Sequence, residues 1–360
     1  MQLHCRCVYE YASYERVVVA VTMTDIARRA GVSQATVSRV LSGKGSAARI
    51  SASTQRKVRE IARDLNFQPS FVGRALIRGR TLSIGFMCGN LGNPYYHEMA
   101  EIAMAEAEAR GYHLLIGVSP WQSHADDLSR FDALMSRGVD GMIFFGSALE
   151  AQTRQYRQLV RERFPLVCVN YKFEGLSCIL SDFQPGMNEA VSHLKAAGHR
   201  RVGYVDVDNP EKLSALAKAG AAMGVRVEPM PFAYRGFTGL PAAAREFGRQ
   251  VGRRLDRPTA MVVGSDYLAG PFLSGLDEEG VRTPRDVSLI GIDGTAFAAM
   301  LAPPLTSISQ DPAGMMKLAV GMVIEMVDGE REPGEVVTLP TNLIVRQSVR
   351  EQRESEVGDA

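Results

Sequence analysis

The side chains best suited to specific chemistry lie in a short stretch near the beginning of the chain. Hydroxyl, amide and guanidinium groups follow one another there, with one small alanine among them. Such groups hydrogen-bond to base edges and to phosphate oxygens, so the combination is typical of a surface that binds DNA. The residues of this predicted DNA-reading surface are Ser33, Gln34, Ala35, Thr36, Ser38 and Arg39.

Two short helices are needed to present these groups. Thr24 is a candidate N-cap for the first helix, and Gly31 ends that helix because glycine accepts a positive φ. Ser33 is a start signal for the second helix, in which Val37 and Val40 face back toward the first. Helix, three-residue turn and helix form the pattern of a helix-turn-helix motif, whose second helix enters the major groove. A generic pair of helices in a protein core is the alternative for this stretch alone.

The distribution of charge favours the DNA-binding interpretation. Residues 23–80 contain 12 Lys or Arg against 3 Asp or Glu, a net charge of +9, whereas the whole chain carries only +1. Residues 1–22 are balanced, so the remainder carries a net charge of −8. A basic head on an acidic body is typical of a nucleic-acid-binding module joined to a part that does not bind nucleic acid.

The stretches GVSQATVSRVLSGK (residues 31–44) and FQPSFVGRALIRGRT (residues 67–81) resemble the lactose-repressor and galactose-repressor (LacI/GalR) family of bacterial transcription regulators. The likeness extends over about residues 21–349. It implies a cytoplasmic regulator, expected to be a repressor, that binds a double-stranded DNA operator. A small-molecule effector, expected to be a carbohydrate, would control that binding. A homodimer is expected because two headpieces on a two-fold operator double the contacts that one small headpiece can make.

The resemblance divides the chain into five parts. Residues 1–22 fit no part of the family pattern and are expected to be an extension, either disordered or the product of a wrongly assigned start. Residues 23–69 are the predicted helix-turn-helix headpiece, residues 70–80 the hinge, and residues 81–349 the effector-binding and dimerisation domain. Residues 350–360 form a polar tail without a heptad repeat, so tetramers are not expected.

The hinge carries further predicted DNA contacts. In the family a short helix forms here on DNA and presses a leucine into the minor groove, and the matching residue is Leu76. Ser70 and Arg74 are assigned to the same interface, as is Thr24 in the headpiece. Gly73 stands where the family usually has alanine. Because glycine costs up to ~1 kcal/mol inside a helix, this hinge helix should form less readily without DNA.

From residue 82 onward, short apolar strands alternate with amphipathic helices, which indicates α/β architecture with parallel sheets covered on both faces. The predicted strands are residues 82–88, 113–118, 141–145, 166–170, 202–207, 260–264 and 287–292. About 270 residues exceed one sheet layer, so we divide the region near Gly198. It resembles the two-lobed type I periplasmic-binding-protein fold, with lobe 1 at residues 81–197 and 311–339 and lobe 2 at residues 198–310 and 340–349.

A ligand in this fold lies between the lobes, at the carboxyl ends of strands. Carboxylates accept hydrogen bonds from sugar hydroxyls and aromatic rings lie on C–H faces, so both groups suit a sugar. The family's effector-contact positions match Tyr95, Lys212, Phe237, Asp266 and Gln310, and the strand ends add Trp121, Asp182 and Asp293. The family usually has Arg at position 212, and a lysine lacks its two-pronged grip, so the effector is expected to be unusual. Each residue alone could equally be a helix cap or a packing aromatic.

Other classes of function find less support. No dinucleotide-binding, P-loop, nucleophile-elbow or zinc-protease motif is present, so we expect neither an enzyme nor a cofactor. The five scattered cysteines are typical of reduced packing residues, and Cys5 and Cys7 have no second ligand pair for a metal site. No apolar run approaches the roughly 20 residues that cross a bilayer, so no membrane partner is expected.

Two alternatives remain open. One is a small-molecule-binding receptor without DNA function, similar to a periplasmic sugar-binding protein, although the headpiece and the lack of a signal peptide argue against it. The other is a regulator whose lobes no longer bind a ligand and serve only as a dimerisation platform.

Overall fold

The computed structural model describes residues 21–43, 45–46, 48–67, 75, 79–119, 124–146, 153–206, 210–234 and 236–350, with the backbone alone at residues 124–127 and 236–238. The chain divides into two compact units, Met1–Thr81 and Leu82–Ala360. Within the described ranges no helix is long and apolar enough to span a membrane.

Among the described residues, three helices lie in the first unit, α1 (Met23–Ala30), α2 (Gln34–Leu41) and α3 (Ala52–Asp64). The predicted N-cap Thr24 was wrong, because it lies inside α1 and Thr22 caps the helix instead. The Thr22 hydroxyl accepts a hydrogen bond from the Asp25 backbone N–H, and the Asp25 carboxylate accepts one from the Thr22 N–H. Of the two threonines, only Thr22 has an acidic residue three positions later, which completes a capping box.

The turn between α1 and α2 has the conformation that the sequence predicts. Gly31 is left-handed with φ 71°, and the Ser33 hydroxyl accepts from the Thr36 N–H at the start of α2. The apolar sides of the three helices then meet in one small core. Its buried members are Ile26, Ala27, Ala30, Val37, Val40, Val58 and Ala62.

In the described part of the second unit, twelve strands form two six-stranded sheets. The lobe 1 sheet has the order β11-β5-β4-β3-β1-β2, from β1 (Ser83–Cys88), β2 (His113–Val118), β3 (Gly141–Phe145), β4 (Leu166–Val169), β5 (Ser177–Asp182) and β11 (Val336–Pro340). The lobe 2 sheet has the order β12-β10-β9-β8-β6-β7, from β6 (Arg201–Val205), β7 (Arg226–Pro229), β8 (Ala260–Val263), β9 (Ser288–Asp293), β10 (Thr306–Ser309) and β12 (Asn342–Ile344). All pairings are parallel except that of β12 with β10.

Helices separate most of these strands. Those that follow lobe 1 strands or pack on them are α4 (Pro94–Glu108), α5 (His124–Met135), α6 (Arg154–Arg161) and α12 (Pro312–Asp328). The others are α7 (Phe183–Ala196), α8 (Pro210–Met223), α9 (Gly236–Arg253), α10 (Asp266–Glu278) and α11 (Ala296–Met300). Helix α12 lies in the lobe 1 core through residues such as Met315 and Val323. Strands β1, β3, β4, β8 and β9 are buried along their whole length, as parallel strands between helical layers must be.

All seven predicted strands are present, but the predicted lobe boundary near Gly198 was wrong. Helix α7 belongs to lobe 2, because its Met187 and Leu194 pack in one core with Ile290 and Ile308. A Cβ on Gly186 would lie 2.5 Å from Ile308 Cγ2, so only glycine allows α7 so close to β10. The first crossing between lobes therefore follows Asp182, and the other two lie near residues 310 and 341.

The contact between α9 and α10 is equally close. A Cβ on Gly275 would lie 2.0 Å from the Arg245 carbonyl oxygen, and one on Gly248 would lie 2.3 Å from the Phe272 carbonyl oxygen. Backbone oxygens cannot move aside as a flexible side chain can. The two helices therefore depend on glycine at these positions.

We predict that Gly275→Ala lowers the free energy of unfolding by roughly 1–3 kcal/mol or more, because the added methyl group overlaps backbone. Gly239→Ala is a matched control in α9, where a Cβ would meet nothing within 4 Å. The control should be neutral or stabilising by about 0.5–1 kcal/mol, since alanine favours helix. Urea denaturation of both variants measures the difference, and equal stabilities would contradict the close packing.

Candidate DNA interface and ligand cleft

Helix α2 presents the predicted DNA-reading surface on one side. The side chains of Ser33, Gln34, Ala35 and Arg39 are exposed, and those of Thr36 and Ser38 are half-buried. Val37 and Val40 hold the opposite side in the core. The exposed residues can thus contact a nucleic acid without loss of headpiece packing.

Of the four other predicted DNA contacts, one lies among the described residues. Thr24 is exposed in the first turn of α1. Ser70, Arg74 and Leu76 lie outside the described residues, so the hinge assignment stays a prediction.

A cavity of about 520 Å³ lies between the lobes, where strands from both sheets end. Of the predicted effector contacts, four line it: Tyr95, Lys212, Asp293 and Gln310. Other lining residues include Asn93, Tyr96, Phe145, Asn170, Tyr171, Lys172, Ser181, Phe183, Glu211 and Ser265. The cavity therefore combines aromatic, amide, hydroxyl and charged groups.

A hydrogen-bonded network crosses the cavity from one lobe to the other. Gln310 Nε2 donates to Asp293 Oδ1 at 2.8 Å, and Gln310 Oε1 accepts from Asn170 Nδ2 at 3.0 Å. Ser181 Oγ lies 2.8 Å from the same Gln310 oxygen, and Asn170 Nδ2 also lies 2.8 Å from the Tyr95 hydroxyl. These bonds fix the direction of the Gln310 amide, since its oxygen faces lobe 1 donors and its nitrogen faces a lobe 2 carboxylate.

An aromatic wall from lobe 1 borders this network. The Tyr95 and Phe145 ring centroids are 6.2 Å apart, those of Tyr96 and Phe145 are 5.7 Å apart, and both pairs are edge-to-face. Burial raises the pKa of both tyrosines well above the usual value. Their hydroxyls therefore stay protonated and remain hydrogen-bond donors.

Lys212 brings a positive charge to the lobe 2 side. Its Nζ donates to the Gly264 carbonyl oxygen at 2.7 Å and lies 5.4 Å from the centre of the Phe183 ring. This cation–π geometry holds the ammonium group beside the cavity.

Asp293 is a strongly perturbed carboxyl group in the cavity wall. It is 4% exposed and has φ 119°, a conformation that costs free energy for any residue other than glycine. Burial raises the pKa of its carboxyl to about 8; the positive charge of Lys212 acts against this shift and the negative charge of Asp266 adds to it. A buried carboxyl with a strongly raised pKa is typical of a functional site.

The predicted effector contact Asp266 does not line the cavity. It is fully buried and accepts hydrogen bonds from Thr295 N, Thr295 Oγ1 and Ser307 Oγ at 2.6–2.9 Å. A Cβ on Gly291 would lie 2.3 Å from Asp266 Oδ1, so the carboxylate fits a space that only glycine leaves open. A strand-end Asp can turn inward as well as outward, and here the carboxylate turns inward, so its assignment as an effector contact stays a prediction that the cavity does not support.

One of the three other predicted contacts lies elsewhere, and the side chains of the other two lie outside the described residues. Asp182 is exposed, caps α7 through the Gln184 N–H, and lines a neighbouring cavity of about 450 Å³. For Phe237 only the helical backbone is described, and Trp121 lies outside the described residues.

Asn170 and Ser181 are cavity residues that the sequence did not single out. Asn170 directly follows β4 and has φ 61°, which asparagine tolerates better than most residues. A polar residue at the end of a buried strand was therefore a usable signal. Ser181 directly precedes Asp182, which the sequence analysis singled out as a strand-end residue in its place. Within the described ranges, no cluster of three or more His, Cys, Asp or Glu side chains could hold a metal ion.

A three-helix headpiece with an exposed DNA-reading helix, in one chain with a two-lobed core around a polar cavity, defines a ligand-responsive transcription regulator. Residues 22–70 match the family model described as bacterial regulatory proteins, lacI family, and residues 191–349 match a periplasmic binding protein-like domain. These matches confirm the resemblance to the lacI family of bacterial regulatory proteins that is seen in the sequence.

Individual relatives cover almost the whole chain. The HTH-type transcriptional repressor CytR of Escherichia coli is 28% identical over 342 residues, or 92% of this chain and 97% of the relative. The structure of the lac repressor dimer bound to operator and the anti-inducer ONPF has a TM-score of 0.78 at 22% identity and covers 92% of this chain and 99% of that chain. The complex of the transcriptional regulator CelR with cellobiose has a TM-score of 0.61 at 23% identity, over 91% and 99% of the two chains.

The raised pKa of Asp293 predicts a pH dependence of stability. Because folding raises this pKa from 3.8 to about 8, the protonated carboxyl favours the folded state. The contribution of this carboxyl to the free energy of unfolding is present in full below the pKa of the unfolded state. It is lost as the pH rises toward about 8. Asp293→Asn should therefore flatten the fall in unfolding free energy between about pH 4 and about pH 8. Gly239→Ala, which changes no titratable group, should keep the parent slope, and parallel urea titrations compare the three proteins. Identical slopes for all three would show that Asp293 does not titrate in this range.

Proposed function

We propose that this regulator is a repressor that binds a two-fold DNA operator as a homodimer, and that a neutral polyhydroxylated ligand in the interlobe cavity controls this binding. The observation that carries the proposal is the polar network of Gln310, which joins the Asp293 carboxyl group of lobe 2 to lobe 1. A ligand that changes this network can favour one arrangement of the lobes over another. Such differential affinity is what a controlling ligand requires.

The DNA-binding part of the proposal rests on α2. Its exposed amide, hydroxyl and guanidinium groups suit base edges and phosphates, and the net charge of +9 over residues 23–80 suits a polyanion. Arg39 is exposed in the last turn of α2. Its charge and length make it the strongest single candidate for a phosphate or guanine contact.

We predict that Arg39→Ala weakens binding to the operator upstream of the chain's own gene by ~1–3 kcal/mol at constant salt. Arg63→Ala, an exposed arginine in the last turn of α3, is the matched control and should lose less. Fluorescence anisotropy with a labelled duplex measures both, and thermal unfolding verifies that the headpieces remain folded. Equal losses in the two variants would remove Arg39 from the specific interface. A parent chain that binds no DNA would favour a ligand-binding receptor without DNA function.

The ligand part of the proposal rests on the chemistry of the cavity. The Asp293 carboxyl and Gln310 offer a hydrogen-bond acceptor and a donor, the Lys212 ammonium offers another donor, and the rings of Tyr95 and Tyr96 offer apolar faces. Paired hydroxyls and C–H faces of a sugar complement this set. The relative solved with cellobiose supports a carbohydrate as the first class to test.

We predict that a neutral sugar or sugar derivative raises the melting temperature of the parent chain and that Asp293→Ala abolishes the rise. Below about pH 8 this carboxyl is protonated and uncharged, so the loss of its hydrogen bonds should cost about 0.5–1.5 kcal/mol of binding free energy. Asp182→Ala, outside the interlobe cavity, should bind as the parent does. A thermal-shift screen over a sugar panel, followed by calorimetry with the best sugar, measures this. Unchanged binding in Asp293→Ala would place the ligand elsewhere, and no shift with any sugar would favour lobes that serve only for dimerisation.

The homodimer part of the proposal is supported by one edge of lobe 1. Strand β2 is an edge strand of its sheet. Ile116 on this strand is 44% exposed, and Met104 on α4 is 43% exposed. Exposed large apolar side chains near a sheet edge are typical of a protein interface.

We predict that the parent sediments at about twice 39.3 kDa and that Ile116→Asp shifts it toward the monomer. Leu255→Asp, at a fully exposed position in lobe 2, should leave the mass unchanged, and a monomeric parent would contradict the proposal.

A further inference from the structure

Helix α11 begins without the cap that its own sequence offers. Thr295 occupies the N-cap position, but its side chain makes no capping hydrogen bond. The Thr295 hydroxyl is engaged instead with Asp266 Oδ2 at 2.9 Å. The buried carboxylate thus takes the group that would normally satisfy the first N–H groups of this helix.

The missing acceptor comes from the other lobe. Glu98 Oε2 in α4 accepts a hydrogen bond from the Ala296 N–H at 2.9 Å, although 198 residues separate the two along the chain. A carboxylate at a helix N-terminus is stabilised both by the free N–H groups and by the helix dipole. Glu98 therefore supplies an acceptor at the start of α11, which the side chain of Thr295 does not.

The two ends of this hydrogen bond lie close to the two walls of the ligand cavity. Glu98 follows Tyr95 and Tyr96 by one turn or less in α4, and Ala296 follows Asp293 by three residues. A change in the separation of the lobes at this point must break the bond between Glu98 and Ala296. It would then leave the first N–H of α11 without a protein acceptor.

We propose that Glu98 is a positioning residue that holds the lobe 1 and lobe 2 walls of the cavity at their present separation by capping α11 across the cleft. The inference rests on the proposed function in one respect: loss of the cap is expected to change the lobe arrangement to which the ligand binds. The hydrogen bond itself can be tested without DNA or ligand. Failure of the proposed function would therefore leave the test intact.

The experiment compares Glu98→Ala, Glu98→Gln and Glu108→Ala with the parent, all as full-length chains without ligand. Glu108 is exposed on the same helix, about 15 Å further along at 1.5 Å per residue, so its variant removes the same charge away from α11. Hydrogen exchange by mass spectrometry follows the peptide over residues 294–301. Small-angle scattering reports the radius of gyration, which a capping role alone would not change.

In Glu98→Ala the α11 peptide should exchange roughly 3- to 30-fold faster, as expected for a lost helix cap, and the radius of gyration should rise. Glu98→Gln keeps an oxygen acceptor and should restore most of the protection, and Glu108→Ala should match the parent. Unchanged exchange in Glu98→Ala would overturn the proposal. Faster exchange with an unchanged radius of gyration would show that Glu98 is only a helix cap. Equal effects in Glu108→Ala would indicate only a weakened α4. Either result would also overturn the positioning role.

Discussion

Two buried carboxyl groups set the conditions that the structure around the cavity has to meet. Asp266 is fully buried and Asp293 is 4% exposed, and burial of a carboxylate is costly unless donors surround it. Thr295 and Ser307 supply the donors for Asp266, and Gln310 supplies one for Asp293. The pKa of each carboxyl is raised by burial in spite of these donors. The loops after β9 and β10 are therefore constrained as much by the carboxyl groups as by the apolar core.

The same constraint extends across the cleft through one side-chain amide. Gln310 can donate to Asp293 and accept from Asn170 and Ser181 only while the two sheets keep their present separation. A hydroxyl that enters beside Asp293 competes for the same partners, so it alters bonds in both lobes at once. Polar networks of this kind are stabilising when all their members are satisfied and costly when one is not. In the proposed function, that difference would give two lobe arrangements different affinities for a ligand without any change in the apolar cores.

The parts that sequence alone could predict depend on local patterns. Gly31 and Ser33 define the turn before α2 by their backbone and capping preferences, and nearly continuous apolar runs define the buried strands. Tyr95, Asp293 and Gln310 could be predicted at the cavity because carboxyl ends of parallel strands meet at one sheet edge. The cap of α1 was misplaced by two residues for an equally local reason, since two threonines compete there.

The parts that could not be predicted depend on partners far away in the chain. A strand-end aspartate has the same sequence pattern whether it faces a cavity or turns inward, and the partners of Asp266 lie 29 and 41 residues further on. Helix α7 packs in the core of lobe 2, where a Cβ on Gly186 would overlap Ile308 of β10. Asp266 accepts its hydrogen bonds from Thr295 and Ser307 inside the fold, whereas Asp293 borders the cavity, as does Glu211 of the same lobe. The family position matched to Asp266 thus keeps its residue type here while its hydrogen bonds serve the fold.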